Sequence, residues 1–380
     1  MPTYDYIIIG AGASGLLLAD TLGKDAFFAS KSILLLEKDR KQHNDRTWCF
    51  WEKDAGPFDH LVYKSWPNIH FAGKEIDIKP SISPYRYKML RGLDFYKYYL
   101  NQINTYPNIE LITDEVTTLT EKEDEVIIEG KDNRYTAKQV FDSRFDYEAL
   151  KQQSDYPVLQ QHFLGWFVKS DAPIFDPETA SFMDFSIPQK GNTRFMYVLP
   201  FSETEGLVEY TLFSENVLQK AEYEEALKDY LENTLQATNF EMLEVEQGNI
   251  PMTCYDFASS NSQNLLKIGI AGGWAKPSTG FTFYSTSKKV IALVPFLKTG
   301  KPLSQFENKS RYWFYDLLFL DVLFRNNALG SRVFEALFRK RSPQLVLKFL
   351  DEQTNLWEDL KVMWACPKIP FVKALLGRIR

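Results

Sequence analysis

Cysteine and histidine are scarce in this chain, with 3 and 4 copies among 380 residues. Cys49, Cys254 and Cys366 stand far apart without C-x-x-C spacing, which argues against a disulfide framework or a thiolate metal site and fits a reducing, cytoplasmic compartment. The histidines form no ligand pair, so no metal is expected. Basic charge is not in excess: a net charge of −6 argues against a nucleic-acid partner. No run of eighteen apolar residues is present, so no helix is expected to span a bilayer. The chain opens almost at once on a strand, which predicts no secretory leader. Internal repeats and low-complexity linkers are also missing.

Aromatic residues are abundant: 29 Phe, 20 Tyr and 8 Trp. Beyond ordinary core packing, such an excess points to a large apolar cavity or a membrane-facing surface. A length of 380 residues predicts two domains or more.

The strand Tyr4-Asp5-Tyr6-Ile7-Ile8-Ile9 runs into Gly10-Ala11-Gly12-Ala13-Ser14-Gly15 and then an apolar stretch, Leu16 to Ala19. This G-x-G-x-x-G turn predicts a βαβ unit that lays a pyrophosphate on a helix N-terminus. A second apolar strand, Ile33 to Leu36, ends in Glu37, where a ribose hydroxyl needs an acceptor. Gly10, Gly12, Ala13, Ser14, Gly15 and Glu37 are therefore the expected dinucleotide contacts.

Further along, Leu93, Tyr96, Lys97 and Leu100 fall at helical spacing. Ile109–Leu111, Glu125–Glu129 and Val140–Arg144 read as strands or strand ends, with Asp142 structural. Phe163–Val168 and Arg194–Phe201 are strand-like, and a five-residue loop from Ser202 to Gly206 joins the latter to Leu207–Phe213 as a hairpin. An acidic helix follows near 222–235. Leu265–Ile270 then returns to the character of a buried nucleotide-fold strand, and from 304 onward the pattern is helical. The expectation is an α/β fold of α+β two-domain type: a discontinuous Rossmann-like dinucleotide domain over 1–145 and 246–303, with residues near 46–85 on the substrate side. A substrate domain with a mixed or antiparallel sheet is inserted over 146–245, and a helical region covers 304–380.

Four segments together resemble the lycopene cyclases that form β-ionone rings on carotenoids: the N-terminal turn, Asp45-Arg46-Thr47-Trp48-Cys49-Phe50-Trp51, Leu207-Val208-Glu209-Tyr210-Thr211, and Gly272-Gly273-Trp274-Ala275-Lys276-Pro277-Ser278-Thr279-Gly280-Phe281. The resemblance implies a flavoprotein fold of the aromatic-hydroxylase type. It also implies FAD working in its reduced form with NAD(P)H as reductant, and cyclisation of lycopene or another acyclic-ended carotenoid without net redox change. Arg46 and Arg91 become candidate cofactor contacts, with Arg91 just before the helix at Leu93. Backbone N–H groups of Ala271, Gly272 and Gly273, or water, would hold the ribitol, because Gly269-Ile270 stands where the wider flavoprotein pattern has Gly-Asp. The loop Pro277, Ser278, Thr279 and Gly280 would present backbone donors.

Ring closure of this kind begins by protonating a terminal alkene, and it needs a neutral acid, a stabilised cation and a dry cavity. Glu209 is the expected acid, with the reduced flavin as the alternative proton donor. On a strand it shares a face with Leu207, Thr211 and Phe213, and apolar neighbours on both faces favour its neutral form. Trp48, Phe50, Trp51, Trp166, Phe167, Trp274, Phe281 and Phe283 are the expected ring faces, each worth roughly 0.5–2 kcal/mol to a desolvated cation. An insoluble polyene must be drawn from a membrane, so peripheral association with a membrane surface is expected. Residues 367–380 carry four cations and no acids, with Phe371, Val372, Leu375, Leu376 and Ile379 as an apolar stripe. Trp313–Leu320 is a second candidate membrane face. Two other readings stay open: an FAD-dependent hydroxylase or isoprenoid reductase consuming NAD(P)H, and a non-catalytic flavin and polyene binder.

Overall fold

Strand Thr3–Ile9 is buried on both faces from Tyr6 onward, and Ile33–Glu37 is buried throughout. That burial suits central strands of a parallel sheet covered on both sides. The computed structural model describes residues 2–306 and 309–379. Its first sheet runs in the order Ile109–Thr113, Ile33–Glu37, Thr3–Ile9, Arg134–Asp142, Val126–Gly130, Val116–Glu121. The last strand of this sheet, Leu265–Lys267, pairs in parallel with the far end of Arg134–Asp142. This Rossmann-like unit is thus completed by a segment more than a hundred residues downstream. Asp142 is structural there: fully buried, it accepts from Arg144 at 2.9 Å and Lys267 at 2.8 Å.

A second seven-stranded sheet has the order Phe240–Met252, Leu159–Ser170, Glu205–Ser214, Thr193–Pro200, Thr179–Asp184, Asn68–Ala72, Asp77–Ile78. It reaches Met252, past the expected limit at 245. The whole of Phe240–Met252 pairs with Leu159–Ser170 as an edge strand, and its acidic, weakly apolar sequence hid that pairing. The hairpin loop is also tighter than expected, because Gly206 already pairs with Pro200. Leu265–Ile270 forms only three strand residues before turning into a short helical loop, Gly269–Gly272. A small three-stranded sheet of Thr47–Lys53, Tyr85–Arg91 and Val62–Trp66 begins within the 46–85 region expected on the substrate side and runs on past it to Arg91.

The second seven-stranded sheet, the larger by residues, buries both faces. Val208, Tyr210 and Leu212 face Tyr223 and Leu227 of helix Lys220–Asp229. On the other face Leu207, Phe213, Phe182 and Phe195 join a core with Leu317, Phe334, Val346 and Val362 from the C-terminal helices. Each such side chain contributes roughly 1.5–3 kcal/mol on burial, so those helices are part of the domain's core. No helix among the described residues is long and apolar enough to cross a membrane.

Candidate functional site

Period-two alternation places Glu209 on the C-terminal-helix face of the larger sheet, as its neighbours predict. Its register is decisive. Tyr197 pairs with Glu209, Glu209 with Gly165, and Gly165 with Glu246, so the four form a row across the sheet. At about 4.8 Å between strands, the two carboxyl-bearing positions stand two spacings, about 10 Å, apart. Between them Gly165 presents no side chain; a Cβ there would stand 2.9 Å from Leu207 Cδ1 and 3.4 Å from Glu209 Cβ.

Glu209 is 8 % exposed and accepts one hydrogen bond, from Thr211 Oγ1 at 2.6 Å. Burial pushes its pKa up to about 8 against the pull of that hydroxyl, and the charge of Glu246 adds to the rise. Glu246 is also raised by burial, but it accepts from both the Thr47 N–H at 2.8 Å and Thr47 Oγ1 at 2.5 Å. Both carboxyls line one cavity of about 170 Å³ with Trp48, Phe163, Phe182, Phe195, Tyr197, Phe213, Phe281 and Phe283. A more open neighbouring cavity shares Cys49 and Phe281 with it.

Of the expected aromatic residues, Trp48, Phe281 and Phe283 line the Glu209 cavity. Phe50, Trp51 and Trp274 line the neighbouring one. Alternation along Thr47–Lys53 sends Trp48 and Phe50 into the nucleotide-side core and Trp51 into the substrate-side core. Trp166 is a correction. It pairs with Val208 and packs against Phe240 on the opposite face of the sheet, away from Glu209. Phe167 lies on the Glu209 face, buried beneath the Arg91 guanidinium.

The nucleotide turn is formed as expected. Gly12 caps helix Ala13–Lys24, and a Cβ on Gly12 would meet no heavy atom within 4 Å, which leaves its outer side open to a ligand. Gly10 has φ +96°, and a Cβ on Gly15 would collide with Gly10 O at 1.9 Å. Glu37 is buried beneath the turn and accepts from the N–H groups of Ala11 and Asp39. Ser14 is also buried, close against Gly269. Arg46 lines the Glu209 cavity. Arg91 instead forms an ion pair with Glu244.

The two downstream loops offer different groups from those expected. The amides of Gly272 and Gly273 donate to Ile268 O and Ile270 O, and those of Thr279 and Gly280 both turn back to Lys276 O. Loop closure takes these N–H groups from a ligand, which corrects the expectation of backbone donors at these four positions. What the Pro277–Gly280 loop presents is Thr279 Oγ1, buried without a partner. Gln161 Oε1 is likewise buried and unpartnered at the same cavity. Orphaned polar atoms of this kind are costly unless a ligand completes them. Both residues line the cavity with Glu209, where the polar edge of a flavin ring would supply both donors and acceptors. The residues present fit that group. Lys276 anchors the loop from below: burial opposes its charge, but Asp316 at 2.9 Å and Glu352 at 3.1 Å outweigh that and raise its pKa.

Glu246, Gln161, Thr47 and Tyr197 escaped the sequence reading. The spacing of Glu244, Glu246 and Gly248 on alternate positions was the available signal for a one-faced strand. No His, Cys, Asp and Glu cluster among the described residues could hold a metal ion.

The family model described as lycopene cyclase protein matches residues 5–376. A lycopene beta-cyclase from Pantoea ananas is 24% identical, covering 98% of this chain and 97% of its own length. Another from Pseudescherichia vulneris is 22% identical over 97% and 96%. Among solved structures, a geranylgeranyl bacteriochlorophyll reductase-like protein from Thermoplasma acidophilum aligns with a TM-score of 0.66 at 13% identity, covering 99% of each chain. A flavoprotein/dehydrogenase from Cytophaga hutchinsonii gives 0.65 at 13% over 99% and 100%. The halogenase PltM, solved with phloroglucinol and FAD, gives 0.62 at 12% over 92% and 82%. These three likenesses show the fold.

Proposed function

This chain belongs to the lycopene cyclase family, and on that premise we propose that it closes the linear ends of lycopene into β-ionone rings, giving β-carotene by way of γ-carotene. The observation that carries the reading is Glu209, a carboxyl held neutral by burial inside an aromatic cavity. Its proton goes to the less substituted carbon of the terminal alkene, and the internal alkene attacks the tertiary cation so formed. Ring faces such as Trp48, Phe281 and Phe283 stabilise that cation without trapping it. Burial of the cavity between sheet and helices excludes the water that would otherwise yield an alcohol.

FAD is the cofactor this site would take. Gly10, Gly12, Ala13, Ser14, Gly15 and Glu37 would hold its nucleotide half, while Thr279 and Gln161 would meet the ring edge. When bound and reduced by NAD(P)H, it supplies negative charge beside the developing cation.

Substrate is collected from a membrane surface. Helix Leu356–Ala365 exposes Leu356, Trp357, Leu360 and Trp364, with the two tryptophans 77 % and 69 % exposed. Helix Lys368–Ile379 exposes Ile369, Val372, Leu376 and Ile379, and Lys368 lies over the Trp364 ring. Exposed tryptophan beside lysine suits an anionic lipid interface. The expected stripe is divided: Phe371 packs on the core, and Arg378 turns inward to Asp321. In Trp313–Leu320, the other candidate, Trp313 and Phe314 pack against the core and Leu317, Phe319 and Leu320 are buried in it.

The test is anaerobic incubation of FAD-loaded protein with lycopene in vesicles after reduction. Cyclic product formed over many turnovers without further reductant supports the reading. One reductant consumed per product, or substrate recovered unchanged, overturns it.

A further inference from the structure

Ring closure as proposed above consumes one proton and releases another. Glu209 can give the first, but the second departs from a different carbon, once the ring has formed. The cavity holds a second carboxyl with no role so far. We propose that Glu246 is the base that removes the ring proton, so that Glu209 and Glu246 act as an acid and base facing each other across Gly165. This inference rests on the cyclase reading and deepens it.

The geometry carries it. Both side chains rise from the same sheet face and line the same cavity. With glycine between them, no side chain of the intervening strand separates the carboxyls, and a substrate end held in the cavity they both line reaches both. The two sites differ in their donors. Glu246 accepts two hydrogen bonds from Thr47 and feels the positive charge of Arg46, which favour its ionised form. Glu209 accepts from Thr211 alone. One proton shared between the two therefore resides on Glu209. Paired carboxyls whose surroundings push their protonation apart divide into acid and base in this way.

The balance closes without an oxidant or reductant. The Glu209 O–H bond breaks, and the π pair of the terminal alkene forms a C–H bond at its less substituted carbon, leaving the tertiary cation at the other. The internal alkene's electron pair becomes the new ring C–C bond. A ring C–H bond then breaks, its electron pair forms the ring alkene, and the proton passes to the Glu246 carboxylate. Proton exchange with solvent, when product leaves, restores the starting state.

Deuterated water separates the two roles. Wild-type protein, FAD-loaded and reduced, should yield rings carrying one solvent deuterium each. Glu246→Gln should lower ring formation by about 10²-fold or more. Its recovered linear substrate should nevertheless gain deuterium at the termini, because Glu209 still protonates and the cation reverts. Glu209→Gln should give neither rings nor label. Glu246→Asp should restore ring closure above the level of Glu246→Gln, with flavin content equal in all variants. Ring closure by Glu246→Gln within threefold of wild type would overturn the inference, as would loss of both rings and label in that variant. A wild-type protein that forms no ring and takes up no label would remove the cyclase reading itself.

Discussion

Oε1 of Gln161 stands 2.0 Å from where a Cβ would sit on Gly280, a residue with φ +70°. Loop and sheet approach so closely here that only glycine fits, and the result is an unpartnered carbonyl aimed into the Glu209 cavity. Gly280→Ala should strain the loop and displace Gln161. Purified protein should then carry at least tenfold less tightly bound flavin, read by absorbance after gel filtration, with far-ultraviolet circular dichroism unchanged.

Gln161→Leu keeps the volume and removes the acceptor. Losing one hydrogen bond of about 1–1.5 kcal/mol should weaken FAD binding by about tenfold. Fluorescence-quenching titration measures it, and an unchanged dissociation constant would remove Gln161 from the cofactor's contacts.

Turnover should depend on protonated Glu209, whose pKa lies near 8. The kcat/KM should fall about tenfold per unit above that value. Stability carries the same sign. Between about 4.5 and 8 the folded protein binds a proton that the unfolded chain does not, so stability falls as pH rises, by at most about 1.4 kcal/mol per unit. Glu209→Gln should flatten that part of the urea-midpoint profile.

Asp316→Asn would leave Lys276 buried with only the part-exposed Glu352 as partner. Breaking a buried pair costs about 3–5 kcal/mol, and the remaining carboxylate should hold the loss near the lower figure. A lowered urea midpoint together with reduced flavin content would mark Lys276 as the anchor of the Pro277–Gly280 loop. An unchanged midpoint would refute it.

Trp357→Ser with Trp364→Ser removes two exposed rings and leaves the core intact. Partition onto anionic vesicles should fall by about tenfold or more. Equal co-sedimentation of variant and wild type would show that this helix does not carry the contact.

Much of the site was legible because its signals are local. Gly10 to Gly15 follow a strand and precede a helix within one short stretch, and the face of Glu209 follows from alternation over seven residues. Trp166 misled for the same reason: as an aromatic on a strand it looked suitable, yet alternation sends it to the sheet's other face. Helix Leu356–Ala365 was passed over because its exposed stripe resembles a buried one until the packing partners are known.

Sequence by itself determined the nucleotide turn and the alternating strand under Glu209, since each depends on neighbours a few residues away. Only the tertiary structure decided that Glu246 and Gln161 join Glu209 at one cavity. Lateral strand order and register are set by packing over the whole sheet, and a shift of one residue would turn each of these side chains to the opposite face.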